Sequence, residues 1–423
     1  MVRERLISLD VFRGLTILLM TVVNNPGDWG NVYAPLLHAS WHGCTPTDLV
    51  FPFFIFIMGV AISFAMPTKT YDSATFNKIL VRSVRMFGLG LFFNFFSKIQ
   101  LFGLEGAALL AVRMAITIGI GYALMGNFSS KIKNILAFGI LTLYFVLAYG
   151  GFQDYQDVRI PGVLQRIAIV YFIISLLYLK TSIRTQIGVG SVILLGYWAI
   201  MTLIPVPGIG APNLEIGTNL ASWLDSILLK NHMYRGTKTW DPEGILSTVP
   251  SVATGIVGLV IGQILHLSVP KIEITKKLML SGVALIIVGL IWNIVFPINK
   301  SLWTSSFVLY TGGLAATTLA VLYYIIDVAD IKKGSKLFLI WGVNPMIVFF
   351  FSQIIPQALV MIEFQDPKNP LEQINLLSYF YTFGIAPFFS NPMAASLAGA
   401  LIYVAIWTFI LWLFYKNKLL FKV

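Results

Sequence analysis

Apolar runs of membrane-crossing length recur along this chain, each closed by a short basic turn or by a Gly/Pro-containing loop. Leu49–Ala65 (LVFPFFIFIMGVAISFA) and Leu278–Pro297 (LMLSGVALIIVGLIWNIVFP) are two of them. A run of roughly 20 apolar residues matches the thickness of a bilayer core. In lipid its backbone must satisfy its own hydrogen bonds, which a helix does within one segment. With 57% hydrophobic residues, 11% charged residues and a mean hydropathy of +0.82, the chain is too apolar for a soluble globule of this length. The fold class expected is all-α: a polytopic membrane bundle of about 10–12 transmembrane helices, forming a single domain over residues 1–423.

The spans are expected at about Leu6–Val23, Asp48–Met66, Met86–Phe96 and Ala107–Met125, with a fifth ending near Tyr149. Pro161–Lys180 and Gln186–Ile204 follow, then spans ending near His266, Pro297 and Asp327, then Leu337–Met361, and a last one starting near Ala395. Lys69, Lys78, Arg82 and Arg85 read as one turn, which makes the third span short. Most of the 29 Lys and Arg fall in alternate turns and tails. The positive-inside rule then puts both termini in the cytoplasm. The net charge of +11 is accounted for by those turns, so nucleic acid is not an expected partner. Met1–Arg5 is basic, but the apolar run after it carries Asp10 and Arg13 and has no small-residue cleavage pattern. It is expected to be retained as the first span rather than removed as a signal. One cysteine excludes an internal disulfide. No repeat of fixed period is evident.

The polar residues of interest gather on the face opposite the basic turns. They are Asn24, His38, His42, Asp48, Asp154, Asp157, Arg159, Asp241, Glu243, Asn299, Lys300 and Trp303. His38 stands beside Trp41 and just before a membrane-entering helix, where partial desolvation favours a neutral imidazole able to accept a proton or an acyl group. His42 is four residues on, but Gly43 and Pro46 oppose the helix that a paired metal site would need, and no third ligand is evident, so no metal is expected. Cys44 has no neighbour that lowers its pKa. Asp48 reads either as the cap of the second span or as the orienter of His38. Arg159 and Arg166 flank Pro161-Gly162, and a buried arginine at the Arg166 position needs an acid or an anionic ligand. Asp241 and Glu243 read as a helix cap or as a holder of an ammonium or hydroxyls. Asn299, Lys300 and Trp303 have the same two readings, with Trp303 also suiting an interfacial belt. Asp10 and Arg13 share a helix face, as a local ion pair or as a contact to a charged ligand at the basic end.

Six motifs follow one another in fixed order: SLDVFRGLT (Ser8–Thr16), HASWHGCTPTDLVFPFFIFIMG (His38–Gly59), RIPGVLQRIA (Arg159–Ala168), DPEGILST (Asp241–Thr248), NKSLWTSSFVL (Asn299–Leu309) and WGVNP (Trp341–Pro345). Together they resemble the heparan-α-glucosaminide N-acetyltransferase family with its bacterial relatives, over essentially the whole chain, and the resemblance implies a bacterial inner membrane as the location. The resemblance implies a multi-pass acyltransferase, a homodimer, that takes acetyl from cytosolic acetyl-CoA and delivers it to the amine of a terminal glucosamine across the membrane. It implies His38 as the essential histidine, and Asn24 as the functional asparagine, with Asn25 the neighbouring alternative. Asp48 then joins them as orienter. Arg13, Arg82, Arg85 and Arg166 become candidates for acetyl-CoA, the donor substrate. Trp41, Arg159, Asp241, Glu243, Asn299, Lys300 and Trp303 become candidates for the amino sugar. Asn25-Pro-Gly-Asp-Trp is this chain's own, and the large lumenal N-terminal extension of the animal enzymes is not among these 423 residues. Two rival readings remain: an O-acyltransferase of envelope polysaccharide with the same histidine, and an amino-sugar transporter.

Overall fold

The computed structural model describes residues 6–101 and 103–421. Arg3, Arg5 and Lys422, which contribute to the expected cytoplasmic ends, lie outside them. Among the described residues eleven helices are long and apolar enough to cross a membrane, and one bent pair brings the number to twelve. The first seven are α1 (Ile7–Asn24), α2 (Val50–Ala65, entered through a 3-10 turn at Pro46–Leu49), α3 (Ser73–Phe96), α4 (Gly106–Met125), α5 (Ser130–Tyr149), α6 (Val163–Lys180) and α7 (Ile183–Leu203). A short helix, α8 (Leu220–Leu228), interrupts the long polar segment. Then come α9 (Ile245–Ile264), α10 (Lys271–Trp292), α11 (Ser305–Tyr323), and the bent pair α12 (Ser335–Val343) and α13 (Pro345–Val360). A two-stranded hairpin, β1 (Glu363–Gln365) with β2 (Gln373–Asn375), leads to α14 (Leu376–Gly384) and the last span, α15 (Pro392–Lys416).

Two spans differ from expectation. The third begins at Ser73, where the Asp72 carboxylate accepts the Thr75 N–H at 2.7 Å as an N-cap. Lys78, Arg82 and Arg85 therefore lie inside a helix, not in a turn. Lysine and arginine are good helix formers, and their apolar stems can pack along a span while the charged heads reach out. The eleventh span is broken by 78° between α12 and α13. Pro345 opens α13 and disfavours a helical conformation at Asn344, which sits at φ −121° and ψ 54°. The Asn344 side chain is buried and tied to the chain's C-terminal stretch: its Nδ2 donates to the Leu419 carbonyl and its Oδ1 accepts the Phe421 N–H, both at 2.9 Å. A second proline, Pro356, lies within α13 and cannot donate to the Ser352 carbonyl. The Tyr403 hydroxyl of α15 donates to that carbonyl instead, at 3.1 Å.

The buried apolar residues form three large clusters. One joins α1, α3, α13 and α15, a second joins α2, α6, α9 and α11, and a third joins α1, α2, α10 and α11. Between membrane helices the hydrophobic effect has little to offer, so close backbone approach matters more. At the α1–α12 crossing, a Cβ on Gly14 would fall 1.8 Å from the Phe338 carbonyl oxygen. On the other helix, a Cβ on Gly342 would fall 2.2 Å from the Asp10 carbonyl oxygen. Gly14→Ala must push two backbones apart, and overpacking of this kind costs about 1–3 kcal/mol or more. A lowered Tm in detergent is the expected result, and an unchanged Tm would show that this crossing yields freely.

Candidate active site

The site begins with a loop that is irregular up to the 3-10 turn at Pro46–Leu49. Residues 37–48 are gathered around one carboxylate. Asp48 is 1% exposed at its side chain. Its Oδ2 accepts the N–H groups of Ala39 at 3.0 Å and Thr45 at 2.9 Å, and the Thr45 hydroxyl at 3.1 Å. Its Oδ1 lies 2.7 Å from His38 Nδ1. A carboxylate that accepts from so many donors is ionised and accepts from the ring as well, so His38 Nδ1 carries the proton and Nε2 offers its lone pair. His38 itself is open, with 54% of its side chain exposed. Burial, and next the charge of Asp48, push the Cys44 thiol up to about 12, which leaves it unreactive.

A second loop, between α10 and α11, reaches His38 with Lys300. Lys300 Nζ lies 3.1 Å from each imidazole nitrogen and 3.8 Å from Asp48 Oδ1. Asn299 and Trp303 hold this loop in shape. The Asn299 Oδ1 accepts the Leu302 N–H at 2.8 Å, and its backbone N–H donates to Thr304 Oγ1 at 3.0 Å. Trp303 has φ +53°, a strained conformation for an aromatic residue. Its ring is fully buried against Phe51 and Phe307, and its Nε1 donates to Thr254 Oγ1 at 3.0 Å. Anchoring of that kind is what maintains a strained turn at a site. Burial pushes the Lys300 ammonium below the ordinary lysine pKa, against the pull of Glu243 and Asp48.

The third group is an ion cluster at the start of α9. Arg159 grips Asp241 with two bonds, Nε to Oδ2 at 2.8 Å and Nη2 to Oδ1 at 2.6 Å, and Nη2 also donates to Glu243 Oε2. Asp241 further accepts the Tyr234 N–H at 2.8 Å and the Glu243 N–H at 2.9 Å. Burial raises the Glu243 carboxyl, but Arg159, Arg166 and Lys300 outweigh it and hold the carboxyl below the usual glutamate range. Asp225 on α8 braces the same turn, accepting the Asp241 N–H at 3.1 Å and the Ile245 N–H at 2.9 Å. Burial pushes Asp225 up to about 6.

These three groups meet at the mouth of one cavity of about 740 Å³. Its rim carries His38, Asp48, Lys300, Glu243, Arg159 and Trp41. Asn24 also lines it, whereas the Asn25 amide turns back to the Thr21 carbonyl at 2.9 Å. Trp41 is fixed by its Nε1–H bond to the Leu214 carbonyl at 2.8 Å and by an edge contact with Trp240 at 5.2 Å. From the rim the cavity descends between α1, α2, α3 and α13, past Met20, Phe54, Phe93 and Phe349.

Other candidates are not brought to it. Asp241 is completely buried beneath Arg159, and Asn299 and Trp303 support the Lys300 loop from below. Arg166 is 1% exposed and donates to Ser247 Oγ at 2.5 Å, to Thr248 Oγ1 at 3.2 Å and to the Pro242 carbonyl at 3.2 Å. The acid or anion it was expected to need is replaced by these neutral acceptors, with the Asp241 and Glu243 charges nearby. Arg13 donates to Asp10 Oδ1 at 2.8 Å, at the α1–α12 crossing. Arg85 is buried and caps the end of α4, donating to the Leu124 carbonyl at 2.5 Å and the Gly126 carbonyl at 3.3 Å. Arg82 is exposed and lies over the Tyr171 ring at 5.0 Å. None of these four arginines lines the cavity.

Sequence reasoning missed Asn94, Gln353 and Gln357, which line the cavity from α3 and α13. The available signal was two glutamines four residues apart in an otherwise apolar run, PMIVFFFSQIIPQALV. It also missed Lys98 and Arg235, which share Asp157 at the rim, with Lys98 Nζ 2.5 Å from Oδ1.

Comparison with known proteins agrees with the motif reading. Residues 5–201 match a family model described as a domain of unknown function, DUF5009. Over 99% of its length the chain is 27% identical to heparan-alpha-glucosaminide N-acetyltransferase of Homo sapiens, and equally to that of Mus musculus. The match takes in 60% and 61% of those proteins, so the chain spans about three-fifths of the length of the curated relatives it matches. It is a distant relative of these acetyltransferases, and the cavity rim falls within the matched stretch.

Proposed function

We propose that the protein is a transmembrane acetyltransferase that moves acetyl from acetyl-CoA on the cytoplasmic side to the amine of a terminal glucosamine-type sugar on the periplasmic side. The observation that carries this reading is the Asp48–His38 pair, 2.7 Å apart, at the mouth of a cavity that runs down between membrane helices. The basic turns favour a cytoplasmic face at the other end of the bundle, and a bacterial inner membrane rests on the resemblance. Assembly as a homodimer rests on the resemblance alone.

In this mechanism His38 Nε2 takes a proton from the sugar amine as the amine nitrogen bonds to the thioester carbon. Asp48 stabilises the imidazolium that forms, through Nδ1–H. Asn24 and Lys300 stabilise charge on the carbonyl oxygen in the tetrahedral state. That state collapses with cleavage of the C–S bond, and His38 returns its proton to the departing thiolate. The products are an N-acetyl sugar and free CoA. Glu243, held ionised by its neighbours, and Trp41 orient the sugar. The nucleotide end of the donor lies towards the basic end of the bundle, where Arg13 and Arg82 are found.

Broken helices are a mark of transporters, so the α12–α13 bend bears on the rival reading. In transporters the irregular backbone faces a central ligand, whereas Asn344 is satisfied by Leu419 and Phe421 of the same chain. The deciding experiment offers proteoliposomes labelled acetyl-CoA and glucosamine. Label on the sugar amine is expected. Uptake of unmodified glucosamine without acetylation would establish the transporter instead, and label held on the sugar as an ester cleaved by mild alkali, with none on the amine, would establish O-acyl transfer. Lys300→Met is expected to lower kcat roughly 10²-fold, the effect of losing one group that stabilises the developing oxyanion. A rise in KM for the sugar with kcat unchanged would limit Lys300 to binding.

A further inference from the structure

The cavity below His38 is not uniformly apolar. Three carboxamides, Asn94, Gln353 and Gln357, line it at membrane depth. From the Val360 end of α13, the helical rise puts Gln357 about 4 Å down and Gln353 about 10 Å down. Phe349, which also lines the cavity, lies about 16 Å down by the same measure. Unpaired amides in such surroundings are costly unless they have a partner. The Gln357 Nε2 donates to the Gln353 backbone carbonyl at 3.2 Å, and Asn94 Nδ2 donates to the Arg159 carbonyl at 2.7 Å, while among the described residues neither amide oxygen accepts a protein hydrogen bond. Among the described residues the Gln353 amide has no protein hydrogen-bond partner. The protein therefore places two acceptors and a complete amide around the cavity, with Phe93 beside Asn94 on α3 and Phe349 about 6 Å below Gln353 on α13.

We infer that Gln353, Gln357 and Asn94 form an amide ladder that holds the pantetheine arm of the acyl donor, and so set which thioesters can reach His38. The inference rests on the acetyl-CoA reading above. The fit is one of spacing and order. Gln353 and Gln357 are one helical turn apart, a rise of about 6 Å. The two amide nitrogens of pantetheine are four covalent bonds apart, about 5 Å when extended. With the thioester at His38, the nearer amide falls at the level of Gln357 and the farther amide at the level of Gln353, with Asn94 facing the arm from α3. The branched, methyl-bearing part of the arm then meets Phe349, about 6 Å below Gln353. Each ladder carboxamide pairs with an amide that would otherwise enter the membrane unsatisfied.

The test compares two donors with the full-length protein in detergent: acetyl-CoA, with both amides, and S-acetyl-N-acetylcysteamine, which keeps only the amide nearer the thioester. Gln353→Leu is expected to raise KM for acetyl-CoA roughly tenfold, the size of one lost hydrogen bond. It is expected to leave the truncated donor and the KM for glucosamine unchanged. Gln357→Leu is expected to weaken both donors. If the leucine variant does not elute as a single folded species, Gln353→Met carries the same test with a side chain of similar length and no amide. An unchanged KM for acetyl-CoA in the Gln353 variants, beside normal transfer by the unsubstituted protein, overturns the ladder alone. A shift in the KM for glucosamine instead assigns the amides to the sugar and also overturns it. If the unsubstituted protein neither transfers acetyl nor binds CoA, the acyltransferase reading falls and the ladder with it.

Discussion

Replacing His38 with alanine is expected to lower kcat for acetyl transfer by roughly 10²–10⁴-fold, the range supplied by a positioned general base, without a change in Tm. The ring is half exposed, so little packing is lost with it. Its Nδ1 is fixed by Asp48 at 2.7 Å, and its Nε2 faces the cavity beside Lys300. Asp48→Asn should also reduce kcat, because an amide that donates to Nδ1 turns the proton onto Nε2 and removes the base. It should lower Tm as well, since Asp48 holds the N–H groups of Ala39 and Thr45. The two variants therefore differ in a way that a merely structural His38 would not produce. Steady-state transfer from acetyl-CoA to glucosamine, measured beside thermal unfolding, separates them. Turnover near the unsubstituted rate in His38→Ala would remove this residue from the chemistry.

Arg159→Met is expected to be the most damaging single change to the fold on this face. It leaves Asp241, wholly buried, and Glu243, nearly so, without their cation. Removing one partner from a buried ion cluster typically costs about 3–5 kcal/mol, because the remaining charge is left uncompensated. Neutralising the stranded carboxylates should restore much of the loss, so Arg159→Met combined with Asp241→Asn and Glu243→Gln is expected to melt above Arg159→Met alone. The same cluster sets a pH dependence. The folded Glu243 carboxyl titrates below its unfolded value, so the stability it contributes is present above the ordinary glutamate pKa. That contribution is lost as pH falls through the depressed folded value. Unfolding in detergent should therefore become easier on acidification, and less so in Glu243→Gln. A triple variant no more stable than Arg159→Met would mean that the guanidinium acts through packing on Tyr234, 4.9 Å away, and not through charge.

The all-helical membrane bundle was legible in the sequence because its cause is local. An apolar run of sufficient length must become a helix in lipid wherever it stands in the chain. The clustering of polar residues at one face was legible for a related reason, since charges are costly inside spans and most collect in the loops and turns between them. The start of α3 was not legible. Lys78, Arg82 and Arg85 look like a turn by charge, and only the packing of α3 against α6, with Arg85 seated on the end of α4, makes them helical. The break at Asn344 was hidden for a similar reason. Pro345 announces a helix start, but the 78° bend depends on Asn344 being satisfied by residues far along the chain.

The candidate site divides in the same way. Sequence alone put His38, Asp48, Arg159, Glu243 and Lys300 on one face, because each lies in a loop between spans whose direction alternates. It could not rank them by access. Asn299 and Trp303 stand beside Lys300 in the chain, yet the loop turns them inward as supports and leaves Lys300 at the rim. Gln353 and Gln357 belong to none of the six motifs, and α13 alone brings them to the cavity that His38 lines. Hydrophobic length fixes how many times a chain must cross a membrane, since each crossing solves its own hydrogen bonding. Which side chains share a cavity depends on how the crossings pack against one another, a property of pairs of helices that no single segment carries.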